Sequence, residues 1–453
     1  MNDWFFMLRT FRIKKTKDDM KILKMAAFFL LLLIVKNPAH AQTWSLDSCI
    51  AYAQKHNLSL LASTESLKAS EIQKKSSIAQ LVPEITANAN IDNYWQIPVQ
   101  VLPGELIGQP GKFIPVRMGT PWMGSYGLEA SLKLVDVQSW QNIRLAALQN
   151  QAKQSEISAL QKALSRNVSM AFYAVQQQQQ NVKTTAELLE NYREIHRLLS
   201  LQFEKGFTDK IAFNQSLNIL KEREEAFSKS KHFLEQAYMD LKFWMGFPLE
   251  NELKISGNSN IPTLQNTSFS ESNLPDYQWQ KMRVEVSRQQ YKNAYSSLYP
   301  SLRINSAYRQ LGFGENINFI TENEWFPSAY VGLQLRVPIF SLGNMAYNPA
   351  IQKHFWRQAD MEFSSYQEGQ KKNFMREQLL LDEALESMKN REEQLLLAQE
   401  NERLTKQKIE KGLIDMIQLK QVEQDLQMAQ EKLSEARINY IKHYTELQYL
   451  QNK

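Results

Sequence analysis

Apolar and polar side chains alternate along four stretches of the chain. From Ile85 to Trp95 the odd positions hold Ile85, Ala87, Ala89, Ile91, Asn93 and Trp95, while Thr86, Asn88, Asn90, Asp92 and Tyr94 fill the even ones. Tyr126, Leu128, Ala130, Leu132 and Leu134 alternate with Gly127, Glu129, Ser131 and Lys133. Ala329, Val331, Leu333, Leu335 and Val337 alternate with Tyr330, Gly332, Gln334 and Arg336, and Leu302 to Tyr308 repeats the pattern more weakly. A period of two over about ten residues predicts a strand with one apolar face, either half-buried in a soluble core or set in lipid as part of a barrel. Rings gather beside these strands: Tyr94, Trp95 and Trp122 at the first loop, Trp325, Phe326 and Tyr330 at the second. They suit an interfacial girdle, and equally loop aromatics packed on a soluble core.

The rest of the chain follows the helical period. No proline or glycine interrupts Val137 to Glu204, or Gln370 to Lys411. A helix of roughly 65 residues would be about 100 Å long, far beyond a compact domain. Phe213, Leu220, Phe227, Leu234 and Leu241 then recur every seventh residue, and Val422, Leu426, Ala429, Leu433, Ala436 and Tyr440 step by four and three. These predict coiled-coil seams. Between descending and ascending helices stand EKGFTD, Glu204 to Asp209, and EKGLID, Glu410 to Asp415. Each glycine suits the left-handed residue that ends a helix; Thr208 or Asp209, and Asp415, suit the cap of the next.

The two tips belong to a larger repetition. Aligned on Gly206 and Gly412, Gly127 falls near Gly332, and LVPEI (Leu81 to Ile85) resembles LYPSL (Leu298 to Leu302). The glycine offset is 412 − 206 = 206 residues and the proline offset 300 − 83 = 217, so the first copy carries the longer loop. Each copy reads helix, proline, strand, loop, strand, very long helix, glycine turn, helix, and repetition on this scale defines the architecture. The expected organisation is a first repeat over 42–246, an irregular connector over 247–275 rich in Asn, Ser and Pro, and a second repeat over 276–453.

Composition adds a location. Seven lysines and arginines between Arg9 and Lys24 precede the apolar run Ala26 to Val35, and Ala39-His40-Ala41 follows. That order predicts a secretory signal over 1–41, with Met20 an alternative start; the run is about half the length a membrane-spanning helix needs. The net charge of +5 is spread along the chain, which does not fit a nucleic-acid partner. Cys49 is the sole cysteine, so no intrachain disulfide forms, and it reads as a buried small side chain. The five histidines after the signal are scattered without metal spacing and no phosphate-binding glycine loop occurs, so neither an enzyme nor a cofactor is expected. The 16 methionines are dispersed and select no cargo.

Four strands leave two open edges, which hydrocarbon forbids. Strands in a membrane would therefore have to be pooled from several chains: two chains would give eight strands and a filled interior, three would give twelve and room for a passage. The order of WSLDSCIAYAQKHN, VPEITANANI, YPSLRINSAY, LRVPIFSLG and IEKGLIDMIQLKQVEQDLQMAQ resembles the TolC-like outer-membrane efflux protein family over nearly the whole chain after the signal. The resemblance implies a mainly α fold with a membrane β-barrel part: a homotrimer with a twelve-stranded barrel, four strands per chain, in outer-membrane lipid, and a long periplasmic α-barrel of duplicated hairpins. It implies an exit duct working with a periplasmic adaptor and an inner-membrane transporter. The family's constriction falls six and nine residues beyond the second-tip glycine, here Gln418 and Gln421, where a ring would narrow the pore without charge. Asp415 and Glu423 are nearby acids that could substitute, although Asp415 is also placed as a helix cap. Gly206, Phe207, Thr208, Gly412, Leu413 and Ile414 are candidates for adaptor contact, and packing between neighbouring hairpins would equally explain their apolar members. A periplasmic coiled-coil adaptor is the alternative function; it would leave the two strand pairs unexplained.

Overall fold

In a computed structural model of the chain, the described residues are 43–103, 108, 111–256, 269–322, 324–410 and 416–451. The expected signal segment and part of the connector lie outside them. The chain divides into two compact units. In the small one, Trp44 and Ile255 form a parallel bridge: the Trp44 N–H donates to the Lys254 carbonyl and the Ser256 N–H to that of Trp44, each at 2.8 Å.

The large unit begins with helices α1 (Leu46–His56) and α2 (Leu58–Ala79), divided at Asn57, whose side chain caps α2 by accepting from the Leu60 N–H at 3.1 Å. Strands β1 (Glu84–Asn93), β2 (Val99–Pro103), β3 (Phe113–Arg117) and β4 (Trp122–Val135) follow, then the first hairpin, α3 (Val137–Glu204) and α4 (Lys210–Met245). The second copy has α5 (Tyr277–Ser296), β5 (Ser301–Gly314), the short α6 (Phe319–Glu322), β6 (Trp325–Arg336), α7 (Asn348–Glu410) and α8 (Met416–Gln451). Helix α3 has 68 residues, hence a length of about 100 Å.

One antiparallel sheet has the order β1-β4-β5-β6, and β4 against β5 joins the two repeats. The expectation of four strands per chain is corrected: the described residues hold six, because β2 and β3 form a separate two-stranded ribbon. The ribbon fills the loop between β1 and β4, where the second copy has only α6, and so accounts for the longer proline offset of the first copy.

The seam expected on α8 is largely present: Val422 is half-buried, Leu426, Ala429, Leu433, Ala436 and Tyr440 are buried, and the last three pack with Phe374, Leu381 and Met388 of α7. On α4 the expected seam is only partly right. Leu241 is buried, but Phe213, Leu220, Phe227 and Leu234 are half-buried, and the buried stripe is Ser216, Ile219, Arg223 and Ser230. Small hydroxyl side chains let α3 and α4 approach and bond across the gap: Thr185 Oγ1 lies 2.9 Å from Ser230 Oγ, and His196 Nδ1 lies 2.8 Å from Ser216 Oγ.

Candidate functional site

The strand register sorts the sheet into two faces. Ile85, Ala87, Ala89 and Ile91 of β1 share one with Tyr126, Leu128 and Ala130 of β4 and with Val331, Leu333 and Leu335 of β6. The other carries Asn88, Asn90, Glu129, Lys133, Arg303 and Gln334, and an Arg309–Glu129 ion pair crosses β4 and β5 on it. Strand β5 contributes Ser306 and Gln310 to the apolar face, which is why its alternation is weak in the sequence.

Trp122 and Trp325 lie on the apolar face at the end remote from the long helices. Trp325 meets Tyr126 edge-on at 4.9 Å and Phe319 at 5.9 Å. Phe319, buried, fits over Gly124, Gly312 and Gly314, where any added Cβ would come within 3.0 Å of its ring or Cβ. Tyr94 and Trp95 follow β1 directly, with Trp95 fully outward at 95% exposure. Phe326 departs from the expected girdle. Strand alternation sends it to the polar face, opposite in sense to Trp325, and its ring stands 6.3 Å from that of Phe313. Phe319 is an aromatic at this end of the sheet that the sequence pattern does not reveal, because a ring in a loop that settles on glycines shows no periodicity of its own.

At the first tip Gly206 takes φ 75°, the Phe207 N–H reaches the Gln202 carbonyl at 2.8 Å, and the Gly206 N–H reaches that of Phe203 at 3.0 Å. This pair of bonds is the Schellman closure, which a left-handed glycine permits. Asp209 rather than Thr208 caps α4, accepting from the Ala212 N–H at 2.8 Å. Phe207 is left 80% exposed and Thr208 is half-buried. At the second tip Gly412, Leu413, Ile414 and Asp415 lie outside the described residues. Gln418 and Gln421 are exposed, one turn apart on α8, and the Gln421 amide donates to Asp425 Oδ1 at 3.1 Å. Asp425 thus continues the same exposed stripe, an acid that the sequence reading passed over.

Glu423 is not on that stripe. It is 1% exposed, so its suggested part as a substitute pore acid is corrected: it points into the helices with Leu419 and Leu426. Around it converge Tyr192 of α3, Arg223 of α4, and Glu402 and Lys406 of α7. The Arg223 guanidinium lies 5.3 Å from the Tyr192 ring centre and donates to Gln427 Oε1, while Lys406 Nζ stands 2.7 Å from Glu402 Oε1. Neither Glu423 oxygen nor the Tyr192 hydroxyl makes a hydrogen bond of ordinary geometry. Burial pushes the Glu423 carboxyl up to about 7; the Tyr192 hydroxyl opposes, the Glu402 charge adds, and Arg223 and Lys406 oppose. Burial, with the Glu423 charge, likewise raises the Tyr192 hydroxyl. The one signal in the sequence is a glutamate at a seam position, four residues after Leu419 and three before Leu426.

Residues 50–246, most of the first repeat, match the family model of the outer membrane efflux protein. None of the curated proteins compared by sequence matches the chain. Several solved structures share its fold at low identity. A membrane protein from Pseudomonas aeruginosa superposes with a TM-score of 0.72 at 15% identity, over 90% of this chain and 93% of its own. The outer membrane protein VceC of Vibrio cholerae gives 0.69 at 14%, over 90% and 96%. The MtrE outer membrane channel of Neisseria gonorrhoeae gives 0.68 at 14%, over 90% and 88%. The match over residues 50–246 and the shared fold make the chain similar to outer membrane efflux proteins. Proteins of this class sit in the outer membrane and extend a long helical structure into the periplasm. No helix among the described residues is long and apolar enough to cross a membrane.

Proposed function

We propose that three copies of the chain close a twelve-stranded barrel in the outer membrane and that the shared tube is the exit duct of a tripartite efflux or secretion system. The observation that carries this reading is the amphipathic four-stranded sheet with β1 and β6 as open edges. Lipid accepts the apolar face but not unpaired edge groups, so β6 of one copy pairs with β1 of the next. The polar face then lines the lumen, and the hairpins of both repeats carry the wall into the periplasm as an α-barrel. A periplasmic adaptor and an inner-membrane transporter engage the tips, with Phe207 and its second-tip counterparts as the contact. A soluble adaptor role is disfavoured, since the apolar sheet face would stand in water.

Gln418 and Gln421 form the constriction at the periplasmic end, and Asp425 supplies the charge the glutamines lack. In planar bilayers, Gln418→Ala combined with Gln421→Ala is expected to raise single-channel conductance, and Asp425→Asn to lower the preference for cations. Unchanged conductance and selectivity in both variants would remove the constriction from this stretch of α8. Purified protein that stays monomeric and soluble without detergent would remove the duct itself.

A further inference from the structure

The polar face breaks its own rule at one end. Its rows at the end remote from the long helices are Asp92–Met123–Phe313 and Asn90–Ser125–Leu311–Phe326. Met123, Leu311, Phe313 and Phe326 therefore adjoin one another, whereas the next row inward is Asn88, Gly127, Arg309 and Ser328. The cluster does not cover itself: Phe313 is 37% and Phe326 52% exposed. The carboxylate of Asp92, exposed and directly across from Met123, borders it, and the exposed Glu315 and Glu324 follow Phe313 and precede Phe326 by two residues. The nearest acid further in, Glu129, is committed to Arg309. Aromatic faces, flexible methionine and leucine, and a negative charge at the margin match one chemistry, an apolar body bearing a positive centre.

We propose that this patch is a binding site for lipophilic cations leaving through the outer mouth of the duct. Phe313 and Phe326 take the apolar body and the cationic centre over their rings, and Asp92 supplies the counter-charge. The proposal rests on the reading that the polar face lines a shared lumen. In that assembly three such patches surround the exit, each separated from the next by polar side chains of the neighbouring β1.

The test is block of the detergent-purified, full-length oligomer in planar bilayers, with tetrapentylammonium and tetramethylammonium as probes added at the outer mouth. Tetrapentylammonium is expected to block and tetramethylammonium, which has the charge without the apolar body, is not. Phe313→Ala combined with Phe326→Ala should weaken the block by roughly tenfold, the loss of two cation–ring contacts. Asp92→Asn should weaken it less than the double-alanine change does. A conducting parent that tetrapentylammonium does not block overturns the site and leaves the duct standing. So does a double-alanine variant that is blocked like the parent but whose oligomer falls apart at lower temperature, since the rings then serve packing. An oligomer that forms no channel overturns the duct and the site together.

Discussion

Replacing Glu423 by glutamine is expected to raise thermal stability at pH 8 by several degrees and to remove a pH dependence that the parent shows between pH 5 and pH 8. The parent carboxyl titrates at about 7 in the folded chain against an ordinary 4.5, chiefly because it is buried. A raised carboxyl favours folding while it is protonated. Its contribution is complete below pH 4.5 and is lost as the pH rises through 7. Above that point the folded chain holds a charge that lacks a hydrogen bond of ordinary geometry, at a cost of roughly 3 kcal/mol as an upper figure. Glutamine keeps the shape and stays neutral throughout. Glu377 acts in the opposite sense: burial pushes its carboxyl up, but hydrogen bonds from His443 and Arg376 outweigh that and hold it below its ordinary value. Its contribution is therefore present above 4.5 and lost only on further acidification, outside the window compared. Melting of the detergent-solubilised protein followed by helical circular dichroism decides the matter. A parent whose midpoint does not fall between pH 5 and 8, or a glutamine variant that keeps the parent's slope, rules out a titrating Glu423.

The four charged helices that meet at Glu423 also show where sequence reading reaches its limit. Helix α3 could be bounded from composition alone, because nothing between Val137 and Glu204 breaks a helix and Gly206 ends it. The sheet strands were equally legible, since one face must be apolar and the period of two carries that demand into the sequence. The ribbon was not. Its strands contain Pro103 and Pro115, residues that argue against a strand inside a sheet. A two-stranded ribbon has no central strand, so the prolines cost it little. The buried stripe of α4 was hidden for a different reason: serines and an arginine read as a solvated face until the partner helices are known. Which of two plausible helix faces is buried depends on the facing side chains, here Thr185 and His196, which lie 45 and 20 residues away from their partners.

The repeat itself supplies the second large effect, because aligned glycines turn out to do different work. Gly127 sits opposite Arg309 where β4 meets β5, and an added Cβ there would stand 2.2 Å from the Tyr308 carbonyl oxygen and 2.6 Å from the Arg309 Cα. Both atoms are backbone, so no rotamer change relieves the clash; β5 must move away from β4. The Arg309 side chain also passes close over Gly127 on its way to Glu129. Gly332, at the matching place in the second copy, would bring a Cβ no nearer than 4.0 Å to the Tyr330 ring. Gly127→Ala is therefore expected to cost about 3 kcal/mol or more, at the upper end for overpacking, and to open the one ladder that unites the repeats. Gly332→Ala should fold and assemble like the parent, gaining slightly from a stiffer unfolded chain. The comparison is read from the yield of heat-resistant oligomer and the melting midpoint of each variant, prepared in parallel. Equal behaviour of the two variants would mean that β4 and β5 do not lie in this register, and the assignment of polar and apolar faces would fall with it.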